Sequence, residues 1–161
     1  MQLNFCHKWF DHDARMIEQM SREAAEARHR ESLGYTVVVG DLSRPQCFME
    51  VGPSNCLVTY LDQDHRPHLS YDFVESRGGG DRLFLRLLID REYKPGSREV
   101  IRARSYTFSE DGKVRIMDSD IPSRANKITD GCADVSDYFV KKPAFGEYGE
   151  YIRKRAIKLK H

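Results

Sequence analysis

Between residues 56 and 117 apolar side chains recur at every second position through five successive runs, each closed by turn-forming residues. Leu57 to Leu61 is the first run, and it stops at Asp62-Gln63-Asp64-His65-Arg66-Pro67, where Asp and Pro favour a turn. His68 to Glu75 follows, with Leu69, Tyr71 and Phe73 on one side and Ser70 and Asp72 on the other. Three glycines, Gly78, Gly79 and Gly80, connect it to a third run carrying Leu83, Leu85, Leu87 and Ile89. A glycine loop that cradles phosphate opens a helix; this one opens a strand, so it predicts a hairpin. Lys94-Pro95-Gly96-Ser97 makes the next turn, and Glu99 to Phe108 the fourth run. There Ile101 and Ala103 have one parity and Tyr106 and Phe108 the other, which means either a two-sided strand or a bulge, placed near Ser105. Ser109-Glu110-Asp111-Gly112 is a short hairpin signal, and Val114 and Ile116 belong to a fifth strand.

Upstream, Leu3, Phe5 and Trp9 suit a short strand or an extended lead-in. Asp11 or Asp13 is placed to cap a helix reaching Ser32, with Met16, Ile17, Met20, Ala24 and Ala27 as a narrow apolar stripe and Gly34 as the terminating residue. Tyr35 to Val39 and Gln46 to Val51 read as strands. After Met117 the pattern fades into loops, and Tyr151 to Leu159 has helical spacing at Ile152, Ala156 and Leu159. The expectation is an α+β fold in a single domain, residues 1–161. A helix over 11–32 packs on an antiparallel meander of about six to seven strands over 35–117. Loops and a short basic C-terminal element fill 118–161.

Composition narrows the function. The 161 residues hold 26 Lys and Arg against 25 Asp and Glu, so no strong overall charge draws the chain to nucleic acid or to an anionic membrane. Seven basic and two acidic side chains do fall within residues 141–161, which leaves a small negative balance elsewhere. A nucleic-acid accessory role through this tail is the least favoured reading. Met1 to Phe10 lacks a secretory pattern, and no segment approaches the roughly 18 apolar residues of a membrane span. Cys6, Cys47, Cys56 and Cys132 are scattered, with neither zinc-site spacing nor disulfide-scaffold density. They read as reduced and mostly buried, which suggests the cytoplasm.

No motif specifies a reaction. Asp62, Asp64, His65 and His68 crowd into seven residues, but all are ordinary turn residues and no further ligand is fixed by spacing, so no metal is expected. Cys6 and His7, adjacent on a strand, point apart and make no nucleophile–base pair, even with His12 nearby. No catalytic residue and no cofactor is expected. A binding surface is better supported. If Leu69, Tyr71, Phe73, Leu83, Leu85 and Leu87 face the helix, then Tyr60, Ser70, Asp72, Phe84, Arg86, Arg102 and Arg104 share the other face, and arginine with aromatics is the mixture interfaces favour. Tyr60, Asp72, Arg86, Arg102 and Arg104 are the candidate partner-binding residues. The competing reading is that the C-terminal segment, from Tyr138 through Phe145 and Tyr148, covers that face.

The hairpin pattern carries a resemblance. In Leu57 to Leu61 with Asp64, Pro67, Leu69, Tyr71 and Phe73, then Leu83-Phe84-Leu85, Glu92-Tyr93, and Tyr106-Thr107-Phe108 with Asp111-Gly112, the chain resembles small bacterial immunity proteins over roughly residues 56–117. Those are antidotes encoded beside polymorphic toxins of contact-dependent or type VI secretion systems. The resemblance implies a non-enzymatic cytoplasmic protein that binds one cognate toxin and blocks its active site or its access to substrate. It transfers no individual residue. The alternative is a small-ligand-binding or hydrolytic domain with a pocket on the curved sheet, using His65, His68 or Asp72.

Overall fold

A computed structural model describes residues 1–10 and 13–160 of the chain. The strands are β1 (Leu3–Phe10), β2 (Arg15–Met20), β3 (Tyr35–Asp41), β4 (Arg44–Val51), β5 (Asn55–Leu61), β6 (Pro67–Glu75), β7 (Arg82–Tyr93), β8 (Val100–Phe108), β9 (Lys113–Asp120), β10 (Ala125–Ala133), β11 (Phe139–Lys141) and β12 (Leu159–Lys160). All belong to one antiparallel sheet in the order β12-β10-β9-β8-β7-β6-β5-β4-β3-β1-β2, with β11 beside the start of β7. From β3 to β10 every strand pairs with its successor, as short turns between alternating runs dictate. The β8–β9 turn depends on Gly112: it sits at φ +88°, and a Cβ there would meet the Ala133 carbonyl oxygen at 3.0 Å.

The α+β expectation is overturned. Strand accounts for 56% of the residues and helix for 8%, with twelve strands rather than six or seven. The helix expected over 11–32 shrinks to α1 (Arg22–Arg30), the only α-helix among the described residues. Residues 15–20, expected as its first turns, instead form β2 in a hairpin with β1, pairing Phe5 with Met20 and Phe10 with Arg15. Asp11 and His12 lie outside the described residues, and the cap is Ser21, whose hydroxyl accepts from the Ala24 amide at 3.2 Å. Gly34 does not end the helix either. Ser32 takes the left-handed conformation at φ +57°, and the Leu33 amide reaches back to the Arg28 carbonyl. Downstream, residues expected as loop form β10, and Tyr151 to Leu159 makes no helix.

The core also has a different cover. Tyr35, Val37, Met49, Val58, Tyr71, Phe73 and Leu85 line one sheet face, and α1 contributes only Ala25 to it as a buried residue. Most of that face is covered by a strap, residues 134–157, running from β10 to β12. Tyr138 meets Phe108 edge-on at 4.7 Å, Tyr151 meets Phe73 at 5.1 Å, Phe145 stacks on Phe5 at 5.3 Å, and the hydroxyls of Tyr35 and Tyr148 lie 3.0 Å apart. Arg155 fastens the strap. Its amide donates to the Tyr71 hydroxyl, and its guanidinium donates to the carbonyls of Asp137, Glu150 and Arg153 while lying over the Phe73 ring. An apparent member of a basic tail is therefore a buried tie.

Candidate binding surface

Among the described residues the opposite face has no such cover. Antiparallel partners share a face, so the register places Phe48, Thr59, Ser70 and Ile89 in one row and Glu50, Leu57, Asp72 and Leu87 in the next. Leu87 joins this face rather than that of Leu85, because the register shifts between Asp72 and Phe73 and Arg86 occupies the irregularity. At one side the β1–β2 hairpin brings Trp9 onto Phe48 at 5.8 Å, with Cys6, Val38 and Leu61 beneath. These rows form a groove of about 420 Å³ floored by Trp9, Phe48, Leu57, Leu87 and Ile89. Lys8, Glu50, Asp72 and Arg91 supply charge of both signs around it.

The polar groups of the groove are held in place. Arg91 donates to the Ser70 hydroxyl at 2.9 Å, and Arg86 donates to Asp72 at 2.7 Å. The Trp9 indole N–H is buried and has no partner among the described residues. A donor left unpaired at this depth carries a cost in free energy, and here it borders an apolar groove. Such a surface offers shape, aromatic area and fixed charges.

The five residues singled out from the sequence do not share one face. Asp72 lies in the groove and Arg86 is tied to it. Tyr60 is 1% exposed and packs edge-on against Tyr71 in the core, on the strap side. Arg102 and Arg104 also belong to the strap side, in the rows of Glu92 and Asp90, where the strap leaves the face bare. Both grip Asp118, at 2.6 Å each, and this holds its carboxyl well below the usual carboxylate range. No bulge occurs at Ser105. Strand β8 is two-sided, with Tyr106 and Phe108 toward the strap and Ala103, Ser105 and Thr107 away from it.

The Asp62–His68 cluster also resolves into structure. Asp62 accepts from the amides of Asp64 and Arg66 and from the Arg66 guanidinium at 2.8 Å. Arg66 in turn caps the Ser97 carbonyl and lies over Tyr93. His68 is half-buried beside Tyr60, and burial, followed by the nearby Lys154, lowers its pKa. Among the described residues no group of three or more His, Cys, Asp and Glu side chains is placed to hold a metal ion. Cys6, Cys47 and Cys56 are buried and Cys132 exposed, all as free thiols; burial pushes Cys6 up to about 11 and Cys47 up to about 12.

The groove escaped the sequence reading because Trp9 and Phe48 are distant in the chain and the Arg86 irregularity hides Leu87. The alternation of Ser70 and Asp72 against Leu69 and Tyr71 was the available signal. No helix among the described residues is long and apolar enough to cross a membrane. The chain matches no protein-family model, no curated protein and no solved structure.

Proposed function

We propose that this chain is a non-enzymatic immunity protein that neutralises a cognate protein toxin by binding it through the uncovered sheet face, blocking its active site or its access to substrate. One observation carries the reading: the chain spends a whole segment covering one side of its sheet and leaves the other as an apolar, aromatic groove with a charged border. Interfaces between proteins have that anatomy, an apolar centre with a polar rim. The resemblance to immunity proteins in the hairpin region supports the same role, and the proposed contact set is Leu57, Leu87 and Ile89 with Asp72, Arg86 and Arg91. The site of action would be the cytoplasm.

The test is co-expression. Products of the genes flanking this one are expressed singly and together with the chain, scoring growth. One of them is expected to be toxic alone, harmless with the wild type, and toxic again with L87E or I89E, whose side chains sit at the groove floor. Each substitution should weaken the complex by about 2 kcal/mol or more, about thirtyfold. Rescue that survives both substitutions in folded protein would remove the groove from the proposal.

The size of the groove favours one second reading, a small ligand held among Leu57, Leu87 and Ile89 and oriented by Asp72 and Ser70. Ligand sites commonly span about 300–1,000 Å³. Thermal stabilisation by a metabolite, abolished in L87E, with no flanking gene product neutralised, would select it.

A further inference from the structure

The two edges of the sheet are built differently. At the β2 edge Glu18 sits at φ +51° within the strand and Ala14 at φ +47° just before it, so this rim offers no regular ladder to an incoming strand. At the other edge β12 pairs only with Cys132 and Ala133. That leaves the outer side of Ala125 to Gly131 open among the described residues. This run has no proline and no residue at positive φ, and all seven residues are exposed. Ile128, at its midpoint, is 60% exposed, and its cross-strand neighbour Met117 is 40% exposed.

We propose that a second copy of this chain adds at this edge, the two β10 strands pairing antiparallel about a two-fold axis at Ile128. Three features of the run select a second copy as the occupant. First, a strand that pairs with itself so that residues on one face meet residues on the same face must have its axis at a residue, and the midpoint of the open run is Ile128. Second, this register sets Ile128 against Ile128 and continues the row on both sides into Met117, giving four adjacent apolar side chains where each copy alone exposes two. Third, no like charges face each other: Asp130 falls opposite Asn126 and Lys127 opposite Thr129. Moving the axis one residue, to Lys127, would oppose two lysines. Arg115 already holds Asp130 at 2.8 Å on the same face, so the carboxylate is positioned to accept from the Asn126 amide across the axis. The resulting sheet would run through both copies, and β10 stands three strands from β7, which leaves the groove accessible.

A seven-residue edge buries little area, so the dimer should be weak, with Kd on the order of 10 µM to 1 mM. Sedimentation velocity across that range tests it, alongside amide exchange. The wild type should pass from monomer to dimer with concentration, and the amides of residues 125–131 should slow as it does. I128E places two carboxylates opposite each other at the axis and should weaken association at least tenfold, while its melting temperature stays within 2 °C or so of the wild type because the position is exposed. I121E, at another exposed isoleucine outside β10, should leave association unchanged. A wild type monomeric at 1 mM, a dimer indifferent to I128E, or a dimer weakened by I121E instead would each overturn the proposal. None of these outcomes depends on whether the groove binds a toxin.

Discussion

Single side chains here show how a polar group's value depends on its partner. Arg155 is 8% exposed and meets no carboxylate among the described residues; three carbonyls and an aromatic ring share its charge. Lysine carries one charge centre and cannot span three carbonyls held in a planar fork, so R155K should lower stability by about 1–3 kcal/mol in a denaturant melt. An unchanged midpoint would mean that the strap is held without it. Tyr60 and Tyr148 form a matched pair. Both phenols are buried, but the Tyr60 hydroxyl has no hydrogen-bond partner among the described residues while that of Tyr148 meets Tyr35. Removing an unsatisfied buried hydroxyl relieves a cost, whereas removing a satisfied one takes a hydrogen bond from its neighbour, here leaving the Tyr35 hydroxyl with His29 Nδ1 at 2.9 Å. Y60F should therefore be neutral or stabilising and Y148F destabilising by about 1 kcal/mol; the reverse order would contradict the bonding described. Asp62 adds a pH dependence. Burial raises its pKa, but the amide and guanidinium bonds from Arg66, together with the Asp64 amide, outweigh that and leave the folded value below 3.8. A carboxylate depressed in the folded state contributes stability that is full above its unfolded pKa and is lost as pH falls through the folded one. D62N should flatten that acid limb below about pH 4, measured as melting temperature against pH, and an unaltered limb would place the acid sensitivity elsewhere.

Among the elements, the sequence spoke clearly wherever one face of a strand is wet and the other buried. Strands β5 and β6 fall within two residues of their expected bounds, because Leu69, Tyr71 and Phe73 against Ser70 and Asp72 leave little choice of period, while β7 runs on to Tyr93, past the expected Asp90. Three failures have physical causes. Met16, Ile17 and Met20 have helical spacing, yet they lie in β2, where Glu18 at positive φ breaks the alternation that would have revealed a strand. Strand β10 is exposed from Ala125 to Cys132 and is held by its ladder to β9, so no apolar period marks it. The strap has no repeating period at all; Tyr138 is placed by a single 3-10 turn, Ser136–Tyr138, and the other buried tyrosines by turns and by carbonyl bonds to Arg155 rather than by an α-helix or long strand. The candidate site suffered from the same cause. Placing Tyr60 with Asp72 required a parity that the register shift between Tyr60 and Leu61 and the one at Arg86 both disturb, and only Asp72 and its partner Arg86 belong with the groove.

For the molecule as a whole, a meander is nearly one-dimensional: each strand from β4 to β9 bonds to its neighbours in the chain, with β11 at the start of β7 as the one addition among the described residues, so stability need not be shared along the sheet. The strap changes that over part of its length. By touching Tyr35 on β3, Phe73 on β6 and Phe108 on β8 it couples strands that are otherwise in contact only through intermediates. The β9–β10 arm joins the core at Val114, with Ile116 packed against it, and at Ala133; between them Ser119 is its other buried residue, and the arm has little to lose by opening. Native-state amide exchange in dilute protein, well below any self-association, should therefore divide the sheet. Amides of Val37, Met49, Val58, Phe73 and Leu85 should open only with global unfolding, while those of β10 that bond to β9 should open at a cost lower by on the order of 2–4 kcal/mol. R155K should lower the first group far more than the second, since on the arm the core cluster that holds the strap tyrosines takes in only Val114, with Ile116 packed against it, and Ala133. Equal protection along all strands would show instead that the sheet unfolds as one unit and that the strap is a cover rather than a coupler.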